Sequence, residues 1–221
     1  VLKPIRGAHG NGVITDIDNI NELKNILNEK NINKNESYMI EEQVEGSNYR
    51  FYLINNKLID VVCRVAPNIT GNGVSTLQQL INNENKNRAS NNKIVPSYFY
   101  LNKINIYEDT ILKNNQNIIV NNVANYHRGA TIKHIPIKDI HIDNINIVLN
   151  INNIFKTNIC GIDVISNNIS ESYKNNKYTF NIIELNSNPH DEIHWFDPTL
   201  DKNFKNKFIK KCLDAYFTNF K

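Results

Sequence analysis

Cys160-Gly161-Ile162-Asp163-Val164-Ile165 and, after a polar interval, Ile182-Ile183-Glu184-Leu185-Asn186-Ser187-Asn188-Pro189 are the stretches whose reading decides the fold. Both open as short apolar runs of the kind that form buried strands, and both carry hard oxygen donors among apolar residues. Strand side chains alternate between faces, so Glu184 and Asn186 leave the second run on the same side. Asp163 interrupts the first run, which is expected to be the neighbouring strand. Burying a lone carboxylate is costly, and two explanations stand. The acids pair with Arg or Lys in a core network, or Asp163, Glu184 and Asn186 share a cation. Two carboxylates and an amide suit magnesium, which keeps water and substrate phosphates in its octahedron. His190 and His194, four apart with Asp191 and Glu192 between them, raise a zinc alternative, which the preceding Asn188-Pro189 makes a poor helical pair.

Outward from these strands the pattern alternates helix and strand. Ile145, Val148, Leu149 and Ile151 predict a helix from about Asp143 to Phe155, and Phe204, Phe208, Cys212 and Tyr216 predict a final helix from Phe204 to Phe217 at i, i+4 spacing. The second run is read as a strand from Tyr178 to Leu185. Tyr49–Ile54 and Leu58–Val65 read as a hairpin turning at Asn55-Asn56. Tyr38–Val44 reads as a buried strand. Ile20, Leu23, Ile26 and Leu27 mark a helix capped by Asp16 or Asp18 and ending near Asn31. Val74–Leu80 reads as a helix opened by Gly71-Asn72-Gly73, and Arg88–Pro96 as a mobile loop. From Ile118 the chain is strand-like and breaks at Tyr126-His127-Arg128-Gly129. Near the start, an apolar strand leads through Lys3 into Gly7, Gly10 and Gly12 and then into Val13-Ile14. Such a loop lets backbone N–H groups approach phosphate oxygens, with Lys3 as a fixed cation, although a glycine cluster alone also reads as an ordinary turn.

Composition narrows the class. Hydrophobic residues make up 40% and charged residues 21% of the 221-residue chain, with no apolar run near the ~18 residues of a membrane span. The formal charge of +3 comes without a Lys/Arg stripe interleaved with aromatics, so neither a nucleic-acid nor a membrane partner is expected. Cys63, Cys160 and Cys212 are widely spaced, which points away from a disulfide framework and toward a reducing, cytoplasmic setting. The many asparagines read as the codon bias of an AT-rich genome, expressed in loops. The apolar Val1-Leu2 start reads as the inside of a strand, and the chain as a fragment or excised domain.

Taken in order, Lys3-Pro4, Gly7-x-His9-Gly10-x-Gly12-Val13, Glu41-Glu42-x-Val44-x-Gly46, Arg50, Arg64, Gly71-x-Gly73, Ala124-Asn125, Gly161-Ile162-Asp163 and Glu184-x-Asn186-x-x-Pro189 resemble the ATP-grasp ligases. They look most like the ATP-grasp part of cyanophycin synthetases and of bifunctional glutathione synthetases. The resemblance implies an α+β ATP-grasp fold, with a lid subdomain over residues 1–70 and a C-terminal subdomain over 71–221. The family's N-terminal substrate domain would lie outside this chain. It implies an ATP-dependent carboxylate–amine ligase working through an acyl phosphate on an amino acid or small peptide, with ATP and one or two Mg²⁺ ions, as a homo-oligomer or part of a larger chain. Lys3, Gly7, His9, Gly10 and Gly12 would bind the ATP phosphates, and Glu41, Glu42 and Val44 the adenine edge. Asn48 stands where the family usually has an acid on the ribose. Arg50, Arg64 and His194 would bind substrate; Arg128, Arg64 and Asn125 would act in catalysis; Asp163, Glu184 and Asn186 would hold the metal. Asn121 and His134 replace the Arg and Asp usual around the Ala-Asn segment, with Arg128 near enough to substitute for the lost charge. These departures motivate the alternative of a nucleotide-binding or regulatory module that does not ligate.

Overall fold

Alternation in one hairpin organises the larger sheet. Tyr49, Phe51 and Leu53 leave one face of the strand Ser47–Ile54, and Asn48, Arg50 and Tyr52 leave the other. The computed structural model describes residues 1–6, 10–29, 37–91, 106–175, 179–195 and 200–217. Gly7, Ala8 and His9 of the glycine loop, Asn31, most of the loop expected over Arg88–Pro96, and Tyr178 lie outside the described residues. The described chain divides into two compact units, residues 1–43 with 66–131 and residues 44–65 with 132–221, and each contains residues from both sides of position 70.

In the first unit, β1 (Leu2–Pro4) pairs antiparallel with β2 (Tyr38–Ile40), shorter than the strand read from the sequence. On its other edge Leu2 bridges Ile14, so the glycine turn joins two neighbouring extended segments. Helix α1 (Ile20–Glu29) is capped by Asn19 rather than by Asp16 or Asp18: the Asn19 side chain accepts from the N–H groups of Asn21 and Glu22. After a hairpin that belongs to the other unit, β3 (Ser47–Ile54) and β4 (Lys57–Val65), the chain returns as β5 (Asn68–Thr70), which pairs with β6 (Asn117–Ile119). Between them α2 (Leu77–Ser90) begins at a Thr76/Gln79 capping box. The helix therefore starts later and runs further than its apolar spacing predicted, and Arg88 is a buried helical residue instead of the start of a loop. Ile69, Leu77, Ile81, Leu112, Ile118 and Val120 form the core of this region.

The second unit is a five-stranded sheet in the order β7 (Thr131–His134), β4 (Lys57–Val65), β3 (Ser47–Ile54), β8 (Ile159–Ser166), β9 (Phe180–Asn186). Asn55 and Asn56 close the β3–β4 hairpin at the predicted place, both with positive φ, as the tight turns that match strand twist require. Helix α3 (Ile142–Phe155) covers the face of Phe51, Val61, Ile162 and Val164. Helix α4 (Lys202–Phe217) packs Phe208 and Ala215 on Tyr52, Ile54 and Ile59 of the other face. Both helices were legible from their spacing. The asparagine reading needs correcting, because Asn144 and Asn152 sit on the buried side of α3 rather than in loops.

Candidate functional site

The sheet face that α4 covers at one end is polar at the other. Register places Asp163 of β8 between Arg50 of β3 and Glu184 of β9, with Gly161 opposite Asn186 and Asn48 opposite Arg64. Directly opposed residues on adjacent strands have Cβ atoms ~5 Å apart, so one row of side chains converges. Arg50 holds Asp163 with two donors, Nε on Oδ1 and Nη2 on Oδ2, the latter at 2.9 Å. Arg64 Nη2 reaches the same Oδ2 at 3.0 Å, and Arg64 Nε donates to Asn48 Oδ1 at 2.7 Å. Gly161 makes this possible: a Cβ there would meet Arg50 Cδ at 2.7 Å and Pro189 Cβ at 2.9 Å. Both arginines are buried rather than displayed on the surface of the hairpin. Burial pushes the Asp163 carboxyl upward, but Arg64 and Arg50 outweigh it and hold it below the usual carboxylate range.

Asp163 thus satisfies the ion-pair reading and retains capacity for more. A carboxylate offers about four lone-pair sites, and the two guanidiniums occupy three. Glu184 is exposed and makes no hydrogen bond or salt bridge to any described residue, while the buried Asn186 Nδ2 lacks a partner. Such an amide suits an anion at its nitrogen or, turned over, a cation at its oxygen. Among the described residues no three His, Cys, Asp or Glu side chains form a metal cage. The donor set is two carboxylates and an amide, the chemistry of a hard cation that keeps water and phosphate ligands. The zinc alternative does not form. His190 is exposed, whereas His194 is fully buried, with Nδ1 2.8 Å from Asp60 Oδ2 and its ring stacked on Phe208.

In the first unit, Lys3 Nζ lies 2.7 Å from Glu41 Oε1, and Glu42 is exposed. Gly10 and Gly12 both have positive φ. A Cβ on Gly10 would meet Val123 Cγ1 at 2.9 Å, so the end of the glycine loop rests on the Ala124-Asn125 segment. That segment is a closed turn: Asn125 Oδ1 accepts from the His127 N–H at 2.9 Å, and Arg128 Nη2 donates to Asn11 Oδ1. Asn121, fully buried, turns its Oδ1 onto the Val123 N–H at 3.0 Å. The position where the resemblance implied a missing charge therefore serves the local backbone, and Arg128 brings a positive charge to the Gly10–Gly12 end of the glycine turn.

Comparison with known proteins gives these positions a context. The chain is 28% identical over 207 residues to a cyanophycin synthetase of Synechocystis sp., covering 88% of this chain and 23% of that protein. It is 31% identical over 191 residues to a glutathione biosynthesis bifunctional protein of Clostridium perfringens, covering 82% of this chain and 24% of that one. It spans about a quarter of the length of the curated relatives it matches. The crystal structure of a bifunctional glutathione synthetase from Pasteurella multocida aligns with a TM-score of 0.61 at 19% identity, over 82% of this chain and 26% of that one. No family model matches. The fold is that of the ATP-grasp ligases.

Within the ATP-grasp fold, the structure brings together Arg50, Arg64, Asn48, Asp163, Glu184 and Asn186 in one unit, and Lys3 with Glu41, and Arg128 with Asn125 and the Gly10–Gly12 turn, in the other. Val44, partly buried, opens the second unit just before β3. Asn48 orients Arg64 through its amide oxygen, a contact the resemblance did not imply. His194 and His134 both bond Asp60 Oδ2, so the histidine expected at substrate lies in the interior of the second unit. Asp60 and Arg88 were missed. Asp60 left one signal, a carboxylate inside an apolar strand, while Arg88 left none, standing at the head of a polar stretch.

Proposed function

We propose that this chain carries the nucleotide- and metal-binding part of an ATP-dependent carboxylate–amine ligase. The observation that carries the reading is the convergence of Asp163, Glu184 and Asn186 beside two buried arginines, in an ATP-grasp fold whose sequence relatives are named as a cyanophycin synthetase and a glutathione biosynthesis bifunctional protein. Asp163, Glu184 and Asn186 would hold one or two Mg²⁺ ions, which when bound neutralise phosphate charge. Lys3 and the glycine turn bind nucleotide phosphates, with Gly7 and His9 as further contacts; Glu41, Glu42 and Val44 read the adenine. Arg128, supported by Asn125, faces the phosphates from the turn beside Gly10. Arg50 and Arg64 bind the carboxylate of the acceptor.

The γ-phosphoryl group passes from ATP to that carboxylate, releasing ADP, and an amine then displaces inorganic phosphate from the acyl phosphate to leave an amide. The protein's work is positioning and charge stabilisation, and an arginine in such a site contributes roughly 3 kcal/mol or more to the transition state. The acceptor is an amino acid or small peptide, and a cytoplasmic setting suits both the nucleotide and the three free cysteines.

A second reading, a nucleotide-binding or regulatory module without turnover, is favoured by Asn121, whose amide serves its own turn, and by the neutral Asn48. Release of ADP and phosphate on adding a panel of amino acids and γ-glutamyl peptides separates the two. The ligase reading expects stoichiometric ADP and phosphate with at least one acceptor pair. Tight ATP binding with no release under any pair would leave the second reading standing.

A further inference from the structure

The guanidinium of Arg88 takes no part in the chemistry assigned above, yet the fold buries it to 5% exposure in the last turn of α2. Arginine is almost never fully buried unless paired. Here Nε donates to Glu84 Oε1, one helical turn earlier, at 2.7 Å, and Nη1 donates to the carbonyl of Gly129 at 2.8 Å. Gly129 lies at the exit of the turn that carries Arg128, in the left-handed region with φ +89°.

That turn is closed by its own bonds. The N–H of Arg128 donates to Asn125 O at 2.9 Å, that of Gly129 to Tyr126 O at 3.0 Å, and that of Ala130 to Asn125 O at 3.1 Å. These make the turn a stiff piece without deciding where it sits in its unit. Arg88 ties it to α2 by a planar fork whose donors have fixed directions, one on the helix's own carboxylate and one on the turn. At the other end of the same piece, Arg128 Nη2 meets Asn11 of the glycine turn.

We propose that Arg88 is a positioning residue: by holding the Gly129 carbonyl to α2 it sets where the Arg128 guanidinium stands beside the glycine turn. It touches no ligand itself. The inference rests on the reading that Arg128 faces nucleotide phosphates, and the experiment separates the two claims. Mg²⁺ complexes of a non-hydrolysable ATP analogue and of ADP are titrated calorimetrically into the full chain and into Arg128→Met, Arg88→Met and the double variant, with thermal unfolding recorded for each.

Arg128→Met is expected to weaken the triphosphate analogue roughly tenfold, the scale of one charge-assisted hydrogen bond, and ADP less. Arg88→Met weakens it in the same sense and by no more. The double variant binds as Arg128→Met does, because nothing is left to position. An Arg88→Met variant with unchanged affinity, or a loss that adds in full in the double variant, overturns the positioning role while the reading of Arg128 stands. An Arg128→Met variant with unchanged affinity defeats that reading and the positioning role with it. Should Arg88→Met fail to fold, Glu84→Gln takes its place in the cycle. A loss in the otherwise unaltered chain and none beside Arg128→Met supports the proposal; equal losses in both, or none in either, overturn it.

Discussion

Asp60 serves two imidazoles through one oxygen, with Nδ1 of His134 at 3.0 Å and of His194 at 2.8 Å from Oδ2. Burial raises the Asp60 carboxyl, but the two imidazole hydrogen bonds prevail and keep it low. His194 is pushed down by burial, which the neighbouring carboxylate does not overcome. Its Nε2 faces the interior with no described partner, a place for a lone pair and not for a second proton. The pH consequence has a definite sign. A folded-state pKa below the unfolded value of ~6.5 means that, as pH falls through that value, the unfolded chain takes up a proton the fold refuses, so stability falls. Asp60 and Asp163 have lowered pKa values, so their contributions are present above the unfolded carboxylate value of ~4 and are lost below it. Between about pH 7 and pH 5 the melting temperature should therefore decrease, and His194→Gln should flatten that slope. Thermal unfolding at stepped pH checks this; an undiminished slope in the variant would assign the dependence elsewhere.

At the scale of elements, α3 shows what periodicity can and cannot read. Its existence and extent follow from Ile145, Val148, Leu149 and Ile151, yet the residues it buries most are Asn144, Val148 and Asn152. The Asn144 amide donates to the carbonyls of Ile169 at 3.0 Å and Glu171 at 2.7 Å and accepts from the Tyr173 N–H at 3.0 Å. Those partners lie on the segment after β8, so no local pattern could distinguish this asparagine from its solvated neighbours. Asn144→Ala removes three hydrogen bonds that tie α3 to this segment, although the Ile169 carbonyl keeps the His141 N–H, and should cost roughly 1–3 kcal/mol in chemical denaturation. Asn146→Ala, on the exposed side of the same helix, should stay within ~0.5 kcal/mol. Similar small losses for both would mean that water replaces the Asn144 contacts. The β8–β9 pair was more legible, because side-chain alternation alone places Glu184 and Asn186 together. The end of α2 was less so: Arg88 reads as solvated until Gly129 closes on it.

Across the whole molecule, the ordered set of motifs rather than any single one pointed to the ATP-grasp fold. Each motif alone has an ordinary structural explanation, and Asp163 is a case in which the ion-pair explanation is also true. That double role decides how the metal assignment should be tested. Removing the Asp163 carboxylate strands two buried guanidiniums, so loss of binding would be mixed with loss of fold. Glu184 is exposed and engages no described residue by hydrogen bond or salt bridge, so its removal strands no buried group. The central claim is tested most directly by the affinity of the Mg²⁺ complex of a non-hydrolysable ATP analogue for Glu184→Ala, measured by calorimetry beside the unaltered chain. The account predicts an unchanged melting temperature and binding weakened roughly 10- to 100-fold or more, since even the outer partners of metal ligands cost that much when removed. Equal affinity in a folded Glu184→Ala variant would contradict it.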